Sequence, residues 1–287
     1  MNRQFADTVI NYSGYEKFAI FGAPFDKTYS FKPGAIRGPG AIRDSSYNFE
    51  TFMFQHGTDM TDIPVWDAGD IDEHNIPENA VEDVYFLSSD ILNKNIIPIM
   101  MGGEHSLSFG MVKALKEKYD DFKLIIIDAH LDFRDEYLGM KNSHACFCRR
   151  ASEIIGTENI LTVGVRSICK EEFDEAISSN LKFISSFEIL DNEKSITDIK
   201  EFAAHSPVYL SIDIDGIDPA YAPGTGTPEP FGLTSLFVKN LIDVLDTNIV
   251  AMDIMEVAPS GYDDITPFLA ARLIREFISV KWKRING

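Results

Sequence analysis

Three chemically active side chains stand at alternate positions directly after an apolar run in the middle of the chain. The run covers residues 124–127, and Asp128, His130 and Asp132 follow it. On an extended backbone this spacing places all three side chains on one side. Packing two carboxylates and an imidazole together is costly unless a cation joins them. The pattern therefore predicts metal ligands, in preference to a loop that carries acids by chance.

Two further apolar runs end in residues of the same chemical type. Residues 208–212 lead into Asp213, and Asp215 follows two positions later, which again places both carboxylates on one side of an extended chain. Another run ends in two glycines, which permit a tight turn before His105. Taken alone, His105 is also compatible with a helix cap or a packed turn.

Together these strand ends supply six candidate metal ligands, which are His105, Asp128, His130, Asp132, Asp213 and Asp215. Oxygen and imidazole ligands without thiolate favour Mn²⁺, with Zn²⁺, Fe²⁺, Co²⁺ and Ni²⁺ as alternatives. Six ligands are too many for one catalytic ion that keeps an open position. Two ions about 3.5–4 Å apart fit better, and such a pair lowers the pKa of a shared water to near neutrality. The set therefore predicts a hydrolase with two metal ions.

Eight short apolar runs are the strands that must position these ligands. They are residues 18–22, 65–69, 96–101, 123–128, 160–165, 182–185, 208–213 and 249–257. Helical patterning lies between most of them, as in residues 82–93, 106–119 and 235–245. This alternation, without a linker-like segment, predicts one α/β domain over residues 1–287 with a mainly parallel sheet. Both an open sheet and a closed barrel remain possible, and both gather ligands at the carboxyl ends of the strands.

The composition of the whole chain restricts the function further. The 287 residues carry a formal net charge of −19, which opposes binding to nucleic acid and anionic membranes and permits a cationic substrate. No apolar run approaches the ~20 residues that cross a bilayer, and the first residues lack the apolar core of a signal peptide. We therefore expect a cytoplasmic protein. The three cysteines, Cys146, Cys148 and Cys169, are odd in number, which argues against a disulfide framework.

The three ligand segments resemble the three metal signatures of the ureohydrolases, the family of arginase, agmatinase and their relatives. The segments are residues 102–106, 128–132 and 211–219, and they occur in the family's order. The resemblance runs from about Phe18 to the C-terminal helix. It implies a three-layer α/β/α fold of the arginase type around a mostly parallel eight-stranded sheet. It also implies two manganese ions and a homo-oligomer, either a trimer or a hexamer.

Three other segments resemble the agmatinase branch of that family, namely residues 22–26, 32–39 and 223–230. Arginases carry a polar set after the second metal signature that holds the α-groups of the amino acid, and residues 133–141 lack it. The resemblance therefore implies agmatine as substrate, cleaved to putrescine and urea. Two positions depart from the family pattern. Glu104 stands where the family often has Asp, and Ala145 stands where many agmatinases have Gly.

The resemblance also implies how the ligands divide between the two ions. His105 and Asp132 would complete the sphere of one ion, and His130 would bind the other. Asp128 and Asp213 would bridge the ions, with the second aspartate of the third signature beside them.

Three catalytic roles follow from the same resemblance. Asp132 would also take a proton as the tetrahedral intermediate forms. Glu256 matches the glutamate that binds the guanidinium, which a carboxylate can do through paired hydrogen bonds. His144 matches the histidine that passes a proton to the leaving amine. The remaining histidines match no motif.

Several alternatives stay open at this point. Guanidinobutyrate, guanidinopropionate, aminopropylagmatine, arginine and formiminoglutamate are substrates within the same family, and the far end of the substrate decides among them. A zinc-dependent amine deacetylase would share the sheet but hold one ion. A non-catalytic relative would be expected to have lost ligands, whereas all six are present.

Overall fold

The computed structural model describes residues 4–189, 192–246 and 248–286. The strands within these residues are β1 (Phe18–Ala23), β2 (Phe52–Met53), β3 (Thr58–Asp59), β4 (Val65–Asp70), β5 (Ile97–Gly102), β6 (Lys123–Ile127), β7 (Ile160–Val165), β8 (Lys182–Ser185), β9 (Val208–Asp213) and β10 (Ile249–Met255). The helices are α1 (Gly38–Ser46), α2 (Pro77–Asn93), α3 (Ser108–Lys118), α4 (Phe147–Ile155), α5 (Lys170–Ser178), α6 (Asn192–Ala203), α7 (Ser235–Leu245) and α8 (Thr266–Asn286). None of these helices is both long and apolar enough to cross a membrane.

Eight of the strands form one sheet in the order β4-β1-β5-β10-β9-β6-β7-β8. Every pairing in it is parallel, and β2 and β3 form a separate antiparallel pair. The eight apolar runs of the sequence are the eight strands of this sheet, so that prediction is confirmed. Because β4 and β8 are edges, the sheet is open, and the closed barrel is excluded.

Both faces of the sheet are covered, because successive side chains of each strand enter different hydrophobic cores. In β1, Phe18 and Ile20 pack into one core, whereas Ala19 and Phe21 pack into the other. Helices α1, α6, α7 and α8 contribute to the first core, and α2, α3, α4 and α5 contribute to the second. The result is the predicted three-layer α/β/α arrangement.

Four neighbouring strands bring their carboxyl ends to the same edge of the sheet. The register of β10 pairs Met255 with Asp213 of β9, and the register of β6 pairs Ile127 with Ile212. On the other side of β10, Ile254 pairs with Met101 of β5. The residues that directly follow β5, β6, β9 and β10 therefore gather in one place.

Two glycines allow the backbone segments at this edge to approach each other closely. A Cβ atom on Gly103 would lie 2.1 Å from the carbonyl oxygen of Phe25, and one on Gly216 would lie 2.7 Å from the amide nitrogen of Asp128. Both distances are too short for any side chain. The turns that follow β5 and β9 thus need glycine in order to place their neighbouring ligands.

Candidate metal centre and active site

The six predicted ligands come from the carboxyl ends of three strands. His105 begins a 3₁₀ turn (His105–Leu107) after β5. Asp213 is the last residue of β9, and Asp215 lies in the 3₁₀ turn that follows it (Ile214–Gly216). The other three ligands lie in the loop after β6.

The extended backbone that the period-two spacing assumed is absent at Asp132 and Asp215, whereas Asp213 is extended. Strand β6 ends at Ile127, so Asp128, His130 and Asp132 lie beyond it. Asp132 has φ 49°, a left-handed conformation that is uncommon outside glycine and is tolerated best by Asp and Asn. The side chains are brought together by turns instead of by a continued strand. Because short turns can also return alternate residues to one side, the spacing still selected residues that lie together.

His105 faces three carboxylates with the same ring nitrogen. Its Nδ1 lies 3.2 Å from Asp128 Oδ2, 3.3 Å from Asp132 Oδ2 and 3.3 Å from Asp213 Oδ2. The imidazole is fully buried. These atoms surround a small space into which one cation can fit.

His130 faces two carboxylates, also through Nδ1. This nitrogen lies 3.4 Å from Asp128 Oδ1 and 3.3 Å from Asp215 Oδ2. Asp128 thus presents one oxygen to each imidazole, which joins the two groups of side chains into one cluster. That is the arrangement expected of a carboxylate shared between two neighbouring ions.

The cluster fits divalent cations on three counts. Burial, with the charges of Asp215 and Asp128 nearby, raises the pKa of Asp213 well above its ordinary value, so the group lacks compensating positive charge. His105 Nδ1 and Asp128 Oδ2 are buried. They lie 3.2 Å apart, but neither makes a hydrogen bond of acceptable geometry within the described residues. Oxygen and imidazole donors are those that divalent transition metals accept. The candidate ligand sets are His105, Asp128, Asp213 and Asp128, His130, Asp215, with the ligand atoms of each set within 4.8 Å of one another.

The second nitrogen of His105 is held by a chain of hydrogen bonds that the sequence did not predict. Nε2 lies 2.9 Å from Ser211 Oγ, and this hydroxyl donates to Asp253 Oδ1 at 2.7 Å. Asp253 is fully buried and also accepts from Ser108 Oγ at 2.7 Å and from the Tyr209 hydroxyl. Because the Ser211 hydroxyl donates its hydrogen bond to Asp253, its oxygen accepts from Nε2–H of His105. The lone pair of Nδ1 is thereby left for a metal.

The carboxylates of the third signature are also oriented from outside the cluster. Thr227 Oγ1 donates to Asp215 Oδ2 at 2.9 Å, and the amide of Asp215 donates to Asp213 Oδ1 at 2.9 Å. Arg166 donates to the carbonyl oxygens of Asp215 at 2.6 Å and of Glu229 at 2.7 Å, which fastens this turn to the segment that carries Thr227. The sequence resemblance included residues 223–230 but assigned them no contact.

Glu256 stands directly after β10 and reaches the same place. Its φ is 60°, and its amide donates to the carbonyl oxygen of Gly103 at 2.8 Å. Its Oε1 accepts from the amide of His105 at 2.8 Å. Burial and the negative charge of Glu104 raise the pKa of Glu256 well above its ordinary value. A cationic group beside it would therefore be strongly favoured.

His144 begins the 3₁₀ turn before α4 and lies at the wall of the cavity. Its Nδ1 lies 3.0 Å from Thr28 Oγ1 and its Nε2 lies 2.8 Å from Ser30 Oγ. Burial and the positive charge of His130 lower the pKa of His144 to about 4. The ring is therefore neutral near pH 7, with a proton on one nitrogen and a lone pair on the other.

One cavity of about 370 Å³ joins these groups. Among the predicted residues it is lined by His130, Asp132, His144, Asp213, Asp215 and Glu256, whereas His105 and Asp128 lie beneath its surface. The same cavity is lined by residues to which sequence reasoning gave no role, including Tyr29, Ser30, Lys32, Tyr137 and Glu172. No single motif marks them, because they come from the loop after β1, the loop after β6 and the first turn of α5.

Comparisons with known proteins agree on one group of enzymes. A sequence model described as the arginase family matches residues 16–279. The agmatinase of Bacillus subtilis (strain 168) is 38% identical over 264 residues, which cover 90% of this chain and 90% of that protein. The N(1)-aminopropylagmatine ureohydrolase of Thermococcus kodakarensis is 37% identical over 265 residues, which cover 90% and 88%. The crystal structure of the agmatine ureohydrolase of Thermoplasma volcanium has a TM-score of 0.93 and 39% identity, and covers 99% of this chain and 95% of that one.

Proposed function

The chain belongs to the arginase family and is a metal-dependent amidinohydrolase, and we propose that it hydrolyses the guanidinium group of agmatine to give putrescine and urea. The observation that carries the proposal is the convergence of a cation-holding cluster and a buried carboxylate on one cavity. The cluster suits two divalent ions, and Glu256 beside it suits a guanidinium. Several relatives of similar identity are named agmatinases, which supports agmatine over other guanidino compounds.

We propose that the two ions are manganese and that the chain holds them through the six residues predicted from sequence. One ion would be held by His105 and Asp132 and the other by His130 and Asp215, with Asp128 and Asp213 shared. The opposed oxygens of Asp128 support this division, because they lie 3.2 Å and 3.4 Å from the two imidazoles. When bound, such a pair of ions lowers the pKa of water and stabilises the negative charge that develops during attack.

Glu256 binds the guanidinium in this proposal. Its Oε1 accepts a hydrogen bond from the amide of His105, which orients the carboxylate at the wall of the cavity. A guanidinium paired with it would supply the positive charge that this buried group lacks, and the planar fork of donors matches a carboxylate. The electrophilic carbon is thereby placed against the cluster, which makes the attack effectively intramolecular.

Two further side chains move protons. The oxygen of water bonds to the guanidinium carbon, the bond from that carbon to the chain nitrogen breaks, and both protons of the water reach that nitrogen, so that urea and a protonated amine are formed. Asp132 lines the cavity and can take the proton that the attacking water releases. His144 is neutral near pH 7, so its lone pair can take up the other proton of the water and pass it to the departing amine.

The wall of the cavity also bears on the far end of the substrate. Glu172 is buried there, and its Oε1 accepts from the amide of Phe133 at 2.8 Å. Arg134 Nε lies 3.8 Å from its Oε2, which compensates part of the charge. In this proposal the substrate ends in an amine that pairs with Glu172, beside the cationic side chains of Lys32 and Arg134, which also line the cavity. Agmatine meets this requirement, and so does aminopropylagmatine, the second candidate, which a relative at 37% identity supports.

A substrate panel tests the proposal. Urea release is measured for manganese-loaded protein with agmatine, aminopropylagmatine, guanidinobutyrate, guanidinopropionate and arginine, with formiminoglutamate and an acetylated amine as comparisons. We expect the highest kcat/KM with agmatine. A higher value for aminopropylagmatine would replace agmatine with that substrate. Release of acetate with one bound zinc per chain would replace the proposal with a deacetylase.

Counting bound metal in ligand variants tests the centre independently of the substrate. His130→Ala and Asp213→Ala should each lose bound manganese and urea release together. His74→Ala is the matched control, because that imidazole pairs with Asp83 at 2.6 Å and does not line the cavity. Full activity in either ligand variant would contradict the metal assignment.

The organisation of the chain beyond the site stays a prediction. We propose one ureohydrolase domain over residues 1–287, a cytoplasmic location, no nucleic-acid or membrane partner, and assembly into a homotrimer or homohexamer. Light scattering after size-exclusion chromatography measures the last of these directly. A monomeric mass near 32.2 kDa would contradict it.

A further inference from the structure

Both ring nitrogens of His144 are held by one loop, the segment between β1 and α1. Thr28 contacts Nδ1 at 3.0 Å and Ser30 contacts Nε2 at 2.8 Å. The two hydroxyls differ in their surroundings, because Thr28 is 2% exposed whereas Ser30 is exposed and lines the cavity. Thr28 is therefore fixed from within the protein, and Ser30 is the partner that substrate and water can reach.

The hydroxyl of Thr28 is oriented by a carboxylate on its other side. Thr28 Oγ1 donates to Glu104 Oε2 at 2.6 Å, and the amide of Thr28 donates to Glu104 Oε1. Glu104 is 1% exposed, so water does not compete for these bonds. A hydroxyl carries one proton and can accept two hydrogen bonds. Because the Thr28 hydroxyl donates its hydrogen bond to Glu104, Oγ1 can only accept hydrogen bonds from its remaining neighbours.

Two of those neighbours belong to His144. The third is Ser143, whose hydroxyl donates to Thr28 Oγ1 at 3.4 Å and lies 3.3 Å from His144 Nδ1. The amide of His144 donates to Thr28 Oγ1 at 3.1 Å, and Nδ1 lies 3.0 Å from the same oxygen. Because Thr28 Oγ1 accepts there, and because Ser143 donates to Thr28 and so can also accept from Nδ1, this arrangement favours a proton on Nδ1 of the neutral ring and a lone pair on Nε2. The tautomer of the ring is thus determined by a contact on the side away from Ser30.

We infer that Thr28, oriented by Glu104, is a positioning residue that keeps the proton of His144 on Nδ1 and leaves Nε2 as the nitrogen that exchanges protons with the cavity. The effect of Thr28 on turnover rests on the proposed role of His144. The tautomer of His144 does not depend on that role. One proton enters at Nε2 and leaves from Nε2, and the Nδ1–H bond to Thr28 is kept throughout. Glu104 stands at a position that departs from the family pattern. In this inference it orients Thr28 and is not a metal ligand.

Three variants separate positioning from simple packing. Thr28→Val keeps the shape of the side chain but removes the hydroxyl, and we expect kcat to fall about 10–100-fold, since general acid–base catalysis contributes on the order of 10²–10⁴-fold. KM and the number of bound manganese ions should change less than about twofold. Thr28→Ser restores the hydroxyl and should restore most of kcat. Thr157→Val is the control, because its hydroxyl contacts the carbonyl oxygen of Ser179 away from the cavity.

The tautomer can be read directly by ¹⁵N–¹H correlation spectra of the imidazole rings at pH 7. The protein is loaded with diamagnetic Mg²⁺ in place of manganese, and His144 is assigned by the signals lost in His144→Gln. We expect the Nδ1–H form in the wild type and in Ser30→Ala, and its loss in Thr28→Val.

Two results would overturn the inference. One is an Nε2–H tautomer in the wild-type protein, and the other is a Thr28→Val variant with unchanged kcat or a Thr28→Ser variant that fails to recover. If the wild type releases no urea from any guanidino compound, the proposed function fails, while the spectra still decide the tautomer.

Discussion

The hydroxyl of Ser211 lies 2.9 Å from Nε2 of His105, on the side of the ring opposite the metal cluster. Both residues are fully buried, and the Ser211 hydroxyl donates a hydrogen bond to Asp253 Oδ1 at 2.7 Å. Ser211, a polar residue inside strand β9, thus sets which nitrogen of a candidate ligand is free.

Removal of this hydroxyl should weaken metal binding. In Ser211→Ala the Nε2–H of His105 loses its partner, so the ring is free to rotate or to take the other tautomer. Loss of such an outer contact costs about 10–100-fold in metal affinity. Titration of metal-free protein with manganese measures the change. Ser152→Ala is the control, since that hydroxyl contacts only the carbonyl oxygen of Arg149 within the described residues. Equal affinities for the two proteins would disprove the role of Ser211.

Neutralising Glu256 should impair substrate binding and turnover without loss of metal. Glu256→Gln keeps an oxygen that can accept from the amide of His105 but removes the charge that faces the guanidinium. Hydrogen bonds to charged groups contribute about 1.5–3 kcal/mol, so kcat/KM for agmatine should fall roughly 10–150-fold. Steady-state urea assays measure it. Glu136→Gln, an exposed residue that does not line the cavity, should behave as the wild type. Turnover at the wild-type rate would rule out the guanidinium-binding role.

Asp264 should stabilise the start of α8 in a pH-dependent way. Its Oδ1 accepts from the amide of Thr266 and its Oδ2 accepts from the amide of Ser260, each at 2.9 Å. Burial alone would raise the pKa of Asp264, but these hydrogen bonds outweigh it and hold the pKa below the ordinary value of 3.8. Its stabilising effect is therefore complete above the unfolded pKa and is lost as the pH falls through the folded pKa.

The matching measurement compares urea unfolding of the wild type and of Asp264→Asn. At pH 7 the variant should be about 0.5–2 kcal/mol less stable, as for loss of a helix-capping carboxylate. The difference should shrink as the pH falls below 4. A difference that stays constant between pH 7 and pH 3 would show that the charge of Asp264 does not matter.

The three cysteines should differ sharply in reactivity. Burial, reinforced by the negative charge of Asp132, raises the pKa of Cys146 to about 11, and burial also raises that of Cys148. At pH 8 only about 0.1% of the Cys146 thiol is ionised, and the thiolate is the reactive form. Cys169 is partly exposed and lines the cavity. Iodoacetamide at pH 8 should therefore modify Cys169 alone, and a bound guanidino compound should slow the reaction. Peptide mass spectrometry identifies the modified thiol, and labelling of Cys146 at a similar rate would contradict its burial.

The strands and the candidate ligands could be predicted from the sequence because their signals are local. An apolar run of four to nine residues is visible within one short window, and all eight of these runs form the sheet. The ligands Asp128, His130 and Asp132 follow one strand, so their spacing is covalently fixed. The same local view was wrong about backbone shape, because β6 stops at Ile127 and the loop beyond it turns.

The contacts that orient these side chains could not be predicted, because they join residues far apart in the chain. Thr28 and His144 are 116 residues apart, and His105 and Ser211 are 106 residues apart. No local pattern fixes the distance or the angle between such groups. The order β1-β5-β10-β9-β6 brings the segments that carry these residues close together, and only that packing decides which partner each imidazole nitrogen faces.

The sequence by itself thus determined which residues have the chemistry of a metal-dependent hydrolase and which strand carries each of them. Tertiary structure alone decided that Asp128 is placed between two imidazoles, that Ser211 and Asp253 support His105, and that Thr28 and Ser30 hold the ring of His144. The physical reason is that residue type and spacing are covalent properties of the chain, whereas hydrogen-bond direction and buried charge depend on neighbours that only folding supplies.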